Sequence, residues 1–212
     1  MVTARPRATW AGCTLALPSG WVDVPLDGRR RRAVGRLLRS AGPLPPGTER
    51  HLRRELDAFT ARAAARGVES LHLCARSVDG VPLAASLTTS RAALPPGGID
   101  AVQAALSSAG GTVERLPGVG GGAPAVLRAS AAPGSVTYWC AGPRGTLLLL
   151  AFEAPVPELA DAYRVLFDAV VATLRWEEAA AYPARPWPPL PPRVSSATSS
   201  SSSSAPAARG CS

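Results

Sequence analysis

Between Ala125 and Glu153 the chain offers three strand-like segments, Ala125–Ala132, Val136–Ala141 and Thr146–Glu153. The turns between them contain Pro133-Gly134 and Pro143-Arg144-Gly145. A parallel connection needs about a dozen residues or more to cross the sheet, so neighbours joined by turns this short must pair antiparallel. A hairpin upstream adds to the same sheet. Leu71–Val78 and Val81–Arg91 flank Asp79-Gly80, a dipeptide that accepts the positive φ angles of a two-residue hairpin turn. Thr112–Leu116 precedes the three strands. Cys13–Leu17 and Trp21–Pro25 read as two short strands near the start, with Pro18-Ser19-Gly20 as the turn between them.

Between these strands the apolar spacing lengthens to that of helices. Asp27 can cap a helix running to about Ser40, with Val34, Leu37, Leu38 and Ala41 inward and Gly42-Pro43 ending it. A second helix fits Thr48–Arg66, where Leu52, Leu56, Phe59 and Ala63 share one face. Thr48 is its expected N-cap and Gly67 its expected C′ residue. A third fits Ile99–Ala109, with Ile99, Val102 and Leu106 inward. The last begins at Pro157 and carries the stripe Leu159, Tyr163, Leu166, Val170 and Leu174, with Arg175 in its final turn. The expected fold class is therefore α+β: an antiparallel sheet of about six to eight strands packed with helices, closed by a long C-terminal helix. Residues 9–180 form a single domain in this reading, 1–8 a flexible N-terminus. Pro183–Pro192 and the serine run Ser199–Ser204 cannot bury enough apolar surface to offset their ordering entropy, so 181–212 is expected to be a disordered tail.

Charge is distributed unevenly along this scaffold. Residues 1–66 hold 13 Arg and 5 acidic residues, while the rest of the chain holds 10 of each. The basic third contains Arg29, Arg30, Arg31, Arg32, Arg36, Arg39, Arg50, Arg53 and Arg54. The four consecutive arginines open a helix, where the positive end of the macrodipole makes each cation unfavourable by about 0.3–1 kcal/mol. Helix stability does not explain them. Two readings remain open: an anion site for an acidic protein, a nucleic acid or a lipid headgroup, and a solvated face in a chain that uses arginine and no lysine.

Two short motifs bracket the domain: Leu17-Pro18-Ser19-Gly20-Trp21, of the form LPxGW, and Phe167-Asp168 followed by Leu174-Arg175-Trp176, of the form FDxxxxxLRW. With the element order they make the chain resemble the PsbP/Mog-like α+β superfamily, and within it uncharacterised actinobacterial cytoplasmic members. The resemblance covers about residues 10–178. It implies a mostly non-catalytic domain, with protein contacts in some branches, and no catalytic residue to carry over.

No constellation of chemical groups competes with that expectation. Gly118-Val119-Gly120-Gly121-Gly122-Ala123 matches GxGxxA on paper, but Pro124 and a strand follow it where a dinucleotide fingerprint needs a helix. His51 and His72, the only histidines, have no cysteine or carboxylate at metal spacing, and no serine stands in a GxSxG elbow. Cys13, Cys74 and Cys140 sit in apolar strand-like contexts and read as buried reduced thiols. The start shows no apolar leader, and the run Leu147–Phe152 is far short of the roughly 20 residues of a membrane helix. The expectation is a cytoplasmic, non-enzymatic binding module without cofactor or metal, acting on a protein partner that is acidic if the arginines are the site. Nonspecific nucleic-acid or anionic-surface binding through those arginines is the alternative. In the tail, Pro188–Arg193 fits PxxPxR, more simply a stiff spacer.

Overall fold

The computed structural model describes residues 7–177 apart from 11, 28, 41–44, 79–80, 118–124 and 155. Its strands are β1 (Arg7–Trp10), β2 (Cys13–Ala16), β3 (Trp21–Asp23), β4 (Ser70–Val78), β5 (Val81–Ala93), β6 (Val113–Leu116), β7 (Val126–Ala132), β8 (Ser135–Ala141), β9 (Thr146–Glu153) and β10 (Arg175–Trp176). Its helices are α1 (Arg30–Ser40), α2 (Pro46–Ala65), α3 (Gly98–Ser108) and α4 (Ala160–Val171). The fold is α+β. Seven strands form one sheet in the order β3-β4-β5-β9-β8-β7-β6, every neighbouring pair antiparallel. A small sheet, β1-β2-β10, stands apart from it. The Asp79-Gly80 turn lies outside the described residues, but Val78 faces Val81 across it, the register a two-residue loop dictates. The expected 181–212 tail, residues 1–6, Gly42-Pro43 and the Gly118–Ala123 run also lie outside them.

Because side chains alternate across a strand, the register assigns each residue a face. Leu87, Phe152 and Val136 oppose one another in β5, β9 and β8 and share one face. That face is covered by Tyr163, Phe167, Val170 and Val171 of α4 and by Cys13 and Leu15 of the small sheet. On the other face, Leu127, Trp139 and Leu147 meet Val102 and Leu106 of α3. At the β3–β4 edge of that same face, Leu71 packs with Val24 and with Ala33, Val34 and Leu38 of α1, while Leu56 and Phe59 of α2 lean on the cluster.

Both sequence motifs prove to be core. Trp21 meets Phe152 edge-on at 6.3 Å, and Phe167 stacks on the same ring at 4.4 Å. Leu17 and Leu174 are buried in the same cluster. Trp176 lies on the backbone of Gly142, where a Cβ would stand 2.6 Å from the indole.

Several boundaries differ from expectation, each for a local reason. Arg7 and Ala8 are not part of a flexible segment: they belong to β1 and pair with Ala16 and Leu15 of β2. The strands on either side of Pro18-Ser19-Gly20, β2 and β3, go to different sheets. Thr48 is not a cap. α2 starts two residues earlier, at Pro46, with Pro45 in the N-cap position and no side-chain cap, because proline's fixed φ and missing N–H suit the first turn. Leu52 is 36 % exposed rather than inward, since the apolar cluster beneath α2 reaches only to Leu56. Arg175 is not helical. The Thr173 hydroxyl donates to the Val170 carbonyl at 2.7 Å and accepts the Ala16 N–H at 2.9 Å. Those bonds turn the chain into β10, whose Arg175 and Trp176 pair with Thr14 and Cys13. Gly67 does end α2 as expected. Its φ of 76° and the bonds from Gly67 N–H to Ala64 O and Val68 N–H to Ala63 O are those of a Schellman motif.

Candidate functional site

The Asp27 carboxylate accepts the Arg29 backbone N–H at 2.8 Å, but the first helical bonds go to the Arg29 carbonyl, so Asp27 shapes the turn into α1 and is not the expected N-cap. It also takes the Arg29 guanidinium at 3.0 Å. That side-chain bond first, then the backbone one, holds the Asp27 carboxyl below its ordinary range. From Arg30 onward α1 divides into two faces. Ala33, Val34, Leu37 and Leu38 are buried, whereas Arg31, Arg32, Arg36 and Arg39 are exposed. Steps of three and four residues place the last group on one side of the helix.

That side forms a wall of an open cleft of about 1210 Å³ at the β3–β4 edge of the sheet. Arg29, Arg31, Arg32, Arg36 and Arg39 line it from α1 and the turn before it, and Arg53 lines it from α2. Asp23, Val24, Glu69 and Ser70 contribute from β3, β4 and their flanks, with Gly35 between the arginines. Six of the nine arginines singled out by sequence thus come together. Arg30 is placed by its backbone in the first turn of α1. Arg50 and Arg54 are exposed on α2 but do not line the cleft.

Two of the carboxylates at the cleft hold arginines, and the third, Asp23, faces a buried imidazole. Asp27 holds Arg29, Glu69 holds Arg91 at 2.6 Å, and Asp23 faces His72 at 3.9 Å. On α2, Glu49 holds Arg53 at 2.9 Å. Among the described residues, Arg31, Arg32, Arg36 and Arg39 form no ion pair. Four cations therefore project into one concavity without an ion-pair partner among the described residues, Arg31 and Arg32 beside a helix N-terminus that is itself positive. The arrangement can attract and hold anions.

The remaining titratable groups are structural in their surroundings. His72 is buried in β4, and burial lowers its pKa while the facing Asp23 carboxylate opposes that shift. His51 is exposed on α2. Cys13 and Cys140 are buried free thiols and Cys74 is partly buried. Burial pushes the Cys13 thiol up to about 11 and Cys140 higher still. Among the described residues no group of three or more His, Cys, Asp or Glu is arranged to hold a metal ion. No helix among them is long and apolar enough to cross a membrane.

Sequence reading missed a second polar cluster. Arg128, buried in β7, bonds both Asp168 of α4 and Glu114 of β6, and the Tyr138 hydroxyl donates to Asp168 at 2.8 Å. Burial, then the bond to Asp168, pushes the Tyr138 phenol well above its ordinary range. The available signal was Arg128 in phase with Val126 on the inward face of its strand. The Asp23–His72 pair left no comparable signal, because the two residues belong to separate elements. Comparison of the chain with models of known families, with curated proteins and with solved structures finds no match.

Proposed function

We propose that this domain is a non-catalytic binding module whose arginine-lined cleft receives an acidic segment of a protein partner. The observation that carries the reading is the set of four exposed arginines on one wall of the cleft, none in an ion pair among the described residues, while Asp27 and Glu69 already hold arginines of their own. Those carboxylates would repel a uniformly anionic ligand laid across the whole cleft. A partner presenting acidic groups to α1 and neutral or apolar groups to Pro25, Leu26 and the β3–β4 edge fits better. The resemblance of LPxGW and FDxxxxxLRW to PsbP/Mog-like domains supports a protein partner, and membership of that superfamily is part of the proposal. A cytoplasmic setting goes with it, supported by the buried unpaired thiols.

A second reading, binding to nucleic acid or an anionic surface, is favoured by Arg50 and Arg54. They are exposed on α2 outside the cleft and would be engaged by a ligand larger than the cleft. Fluorescence anisotropy separates the two. An Asp/Glu-rich peptide should bind the full chain and lose binding when Arg31, Arg32, Arg36 and Arg39 become Gln. Duplex DNA should bind more weakly and with a steeper fall in affinity as salt rises. Tight DNA binding that needs Arg50 and Arg54 while the peptide fails would replace the first reading with the second.

A further inference from the structure

We propose that Arg39 and Arg53 form a two-helix clamp for a phosphomonoester, so that the acidic partner carries a phosphorylated side chain; this rests on the cleft being the partner site. The clamp is centred on Gly35. A Cβ built there would stand 3.5 Å from Arg39 Nη1 and 3.7 Å from Arg53 Nη1. Two guanidinium groups from two helices thus converge over one point on the α1 surface. Glu49 fixes the Arg53 fork through Nη2 at 2.9 Å, which leaves Nη1 directed at Gly35. Arg39 has no carboxylate partner among the described residues.

The chemistry of the ligand follows from the charges and donors. A phosphomonoester carries about −1.5 to −2 charges near neutral pH and three terminal oxygens. That matches two cations, each offering N–H donors in a planar fork. A carboxylate brings one charge and two oxygens, which a single fork can satisfy. The phosphodiester of a nucleic-acid backbone also brings one charge and two free oxygens. Gly35 itself points the same way. Glycine inside a helix costs roughly 1 kcal/mol relative to alanine, and a methyl group here would make only ordinary van der Waals contact. The protein's own packing does not demand glycine. Glycine is buried beneath the two guanidinium groups and keeps the space between them free of a side chain.

The test uses the full chain, labelled for amide NMR, with three probes: inorganic phosphate, an Asp/Glu-rich peptide, and the same peptide with one phosphoserine. Phosphate should shift the Gly35 amide saturably. Phosphoserine should tighten peptide binding by about tenfold or more, the effect of one to three new charge-assisted hydrogen bonds. Arg39→Gln and Arg53→Gln should erase that advantage, so that the two peptides bind each variant with equal affinity. Arg39 also sits in the last turn of α1, where a cation favours the helix, so loss of fold could mimic loss of binding. Gly35→Ala removes that ambiguity: it keeps every charge, should not lower Tm, and should still erase the phosphoserine advantage by placing a methyl group against both guanidinium groups. Equal affinity for the two peptides overturns the clamp and leaves the cleft reading standing. A phosphate shift at Gly35 with neither peptide bound upholds the clamp and overturns the protein-partner reading. Duplex DNA binding as tightly as the phosphoserine peptide, and indifferent to Gly35→Ala, overturns the clamp in favour of a diester ligand.

Discussion

Arg128 and Asp168 show how exposure decides what a charge pair contributes. The Arg128 side chain is 10 % exposed, Asp168 35 % and Glu114 59 %. Removing Asp168 leaves the buried guanidinium with Glu114 alone and takes the acceptor from the buried Tyr138 hydroxyl, whereas removing the guanidinium leaves two carboxylates that water can reach. Asp168→Ala should therefore cost about 2–4 kcal/mol of stability, and Arg128→Met about 1 kcal/mol or less. Urea denaturation of both variants checks the order, and an equal or reversed cost would contradict it. His72 supplies a pH prediction. Burial lowers its folded-state pKa below the ordinary 6.5, so the unfolded chain binds the proton more readily. Stability is fully present above pH 6.5 and declines as pH falls from there toward the folded value. The difference in unfolding free energy between wild type and His72→Gln, followed from pH 7.5 to 5, should narrow as pH falls; a constant difference would contradict the assignment. Composition revealed the arginines. The partners of Arg128 and His72 stayed hidden, because they come from elements remote in sequence.

Elements were legible wherever the signal was local. Short turns required antiparallel neighbours in β7, β8 and β9, Asp79-Gly80 set the β4–β5 register, and Gly67 marked the end of α2. The misreadings occur where tertiary contacts override local preference. The apolar period of α4 runs on through Leu174, yet the chain leaves the helix at Val171 because β2 offers β10 an edge to pair with. The consequence is a coupled pair of residues. Trp176 lies on Gly142, whose φ of −114° any residue can adopt, so Gly142→Ala is harmful only through the indole. Each of Gly142→Ala and Trp176→Ala should cost about 2 kcal/mol alone, Trp176 being only half-buried. In the Trp176→Ala background, Gly142→Ala should cost almost nothing, and the two costs should fail to add by most of the smaller one. Additive costs in a thermal-unfolding cycle would mean that the two residues do not constrain each other.

At the scale of the whole molecule, the sheet sorts its coverings. α4 and the small sheet seal one face, α3 covers part of the other, and α1 and α2 cover that face at the β3–β4 edge. The positive charge of the exposed arginines on α1 and α2 is thereby brought to one end of the domain, and part of it is turned inward onto a cleft. The sequence showed the surplus but could not show the concavity. Lining the cleft depends on α1 and α2 lying side by side on Leu71 and Val24, and on Asp23 and Glu69 being brought near from either side of them. The reading also makes a prediction about salt. Association of an acidic peptide should slow as ionic strength rises past 0.15 M, where screening acts beyond about 8 Å, while dissociation changes little. The central claim is that this cleft, and no other surface, is where the domain binds. Amide chemical-shift mapping of the full chain on addition of an Asp/Glu-rich peptide tests it most directly. The account predicts shifts over residues 23–39 and at 53, 69 and 70, with α4 and β6 unmoved; shifts centred on α4 or β6, or none at millimolar peptide, would contradict it.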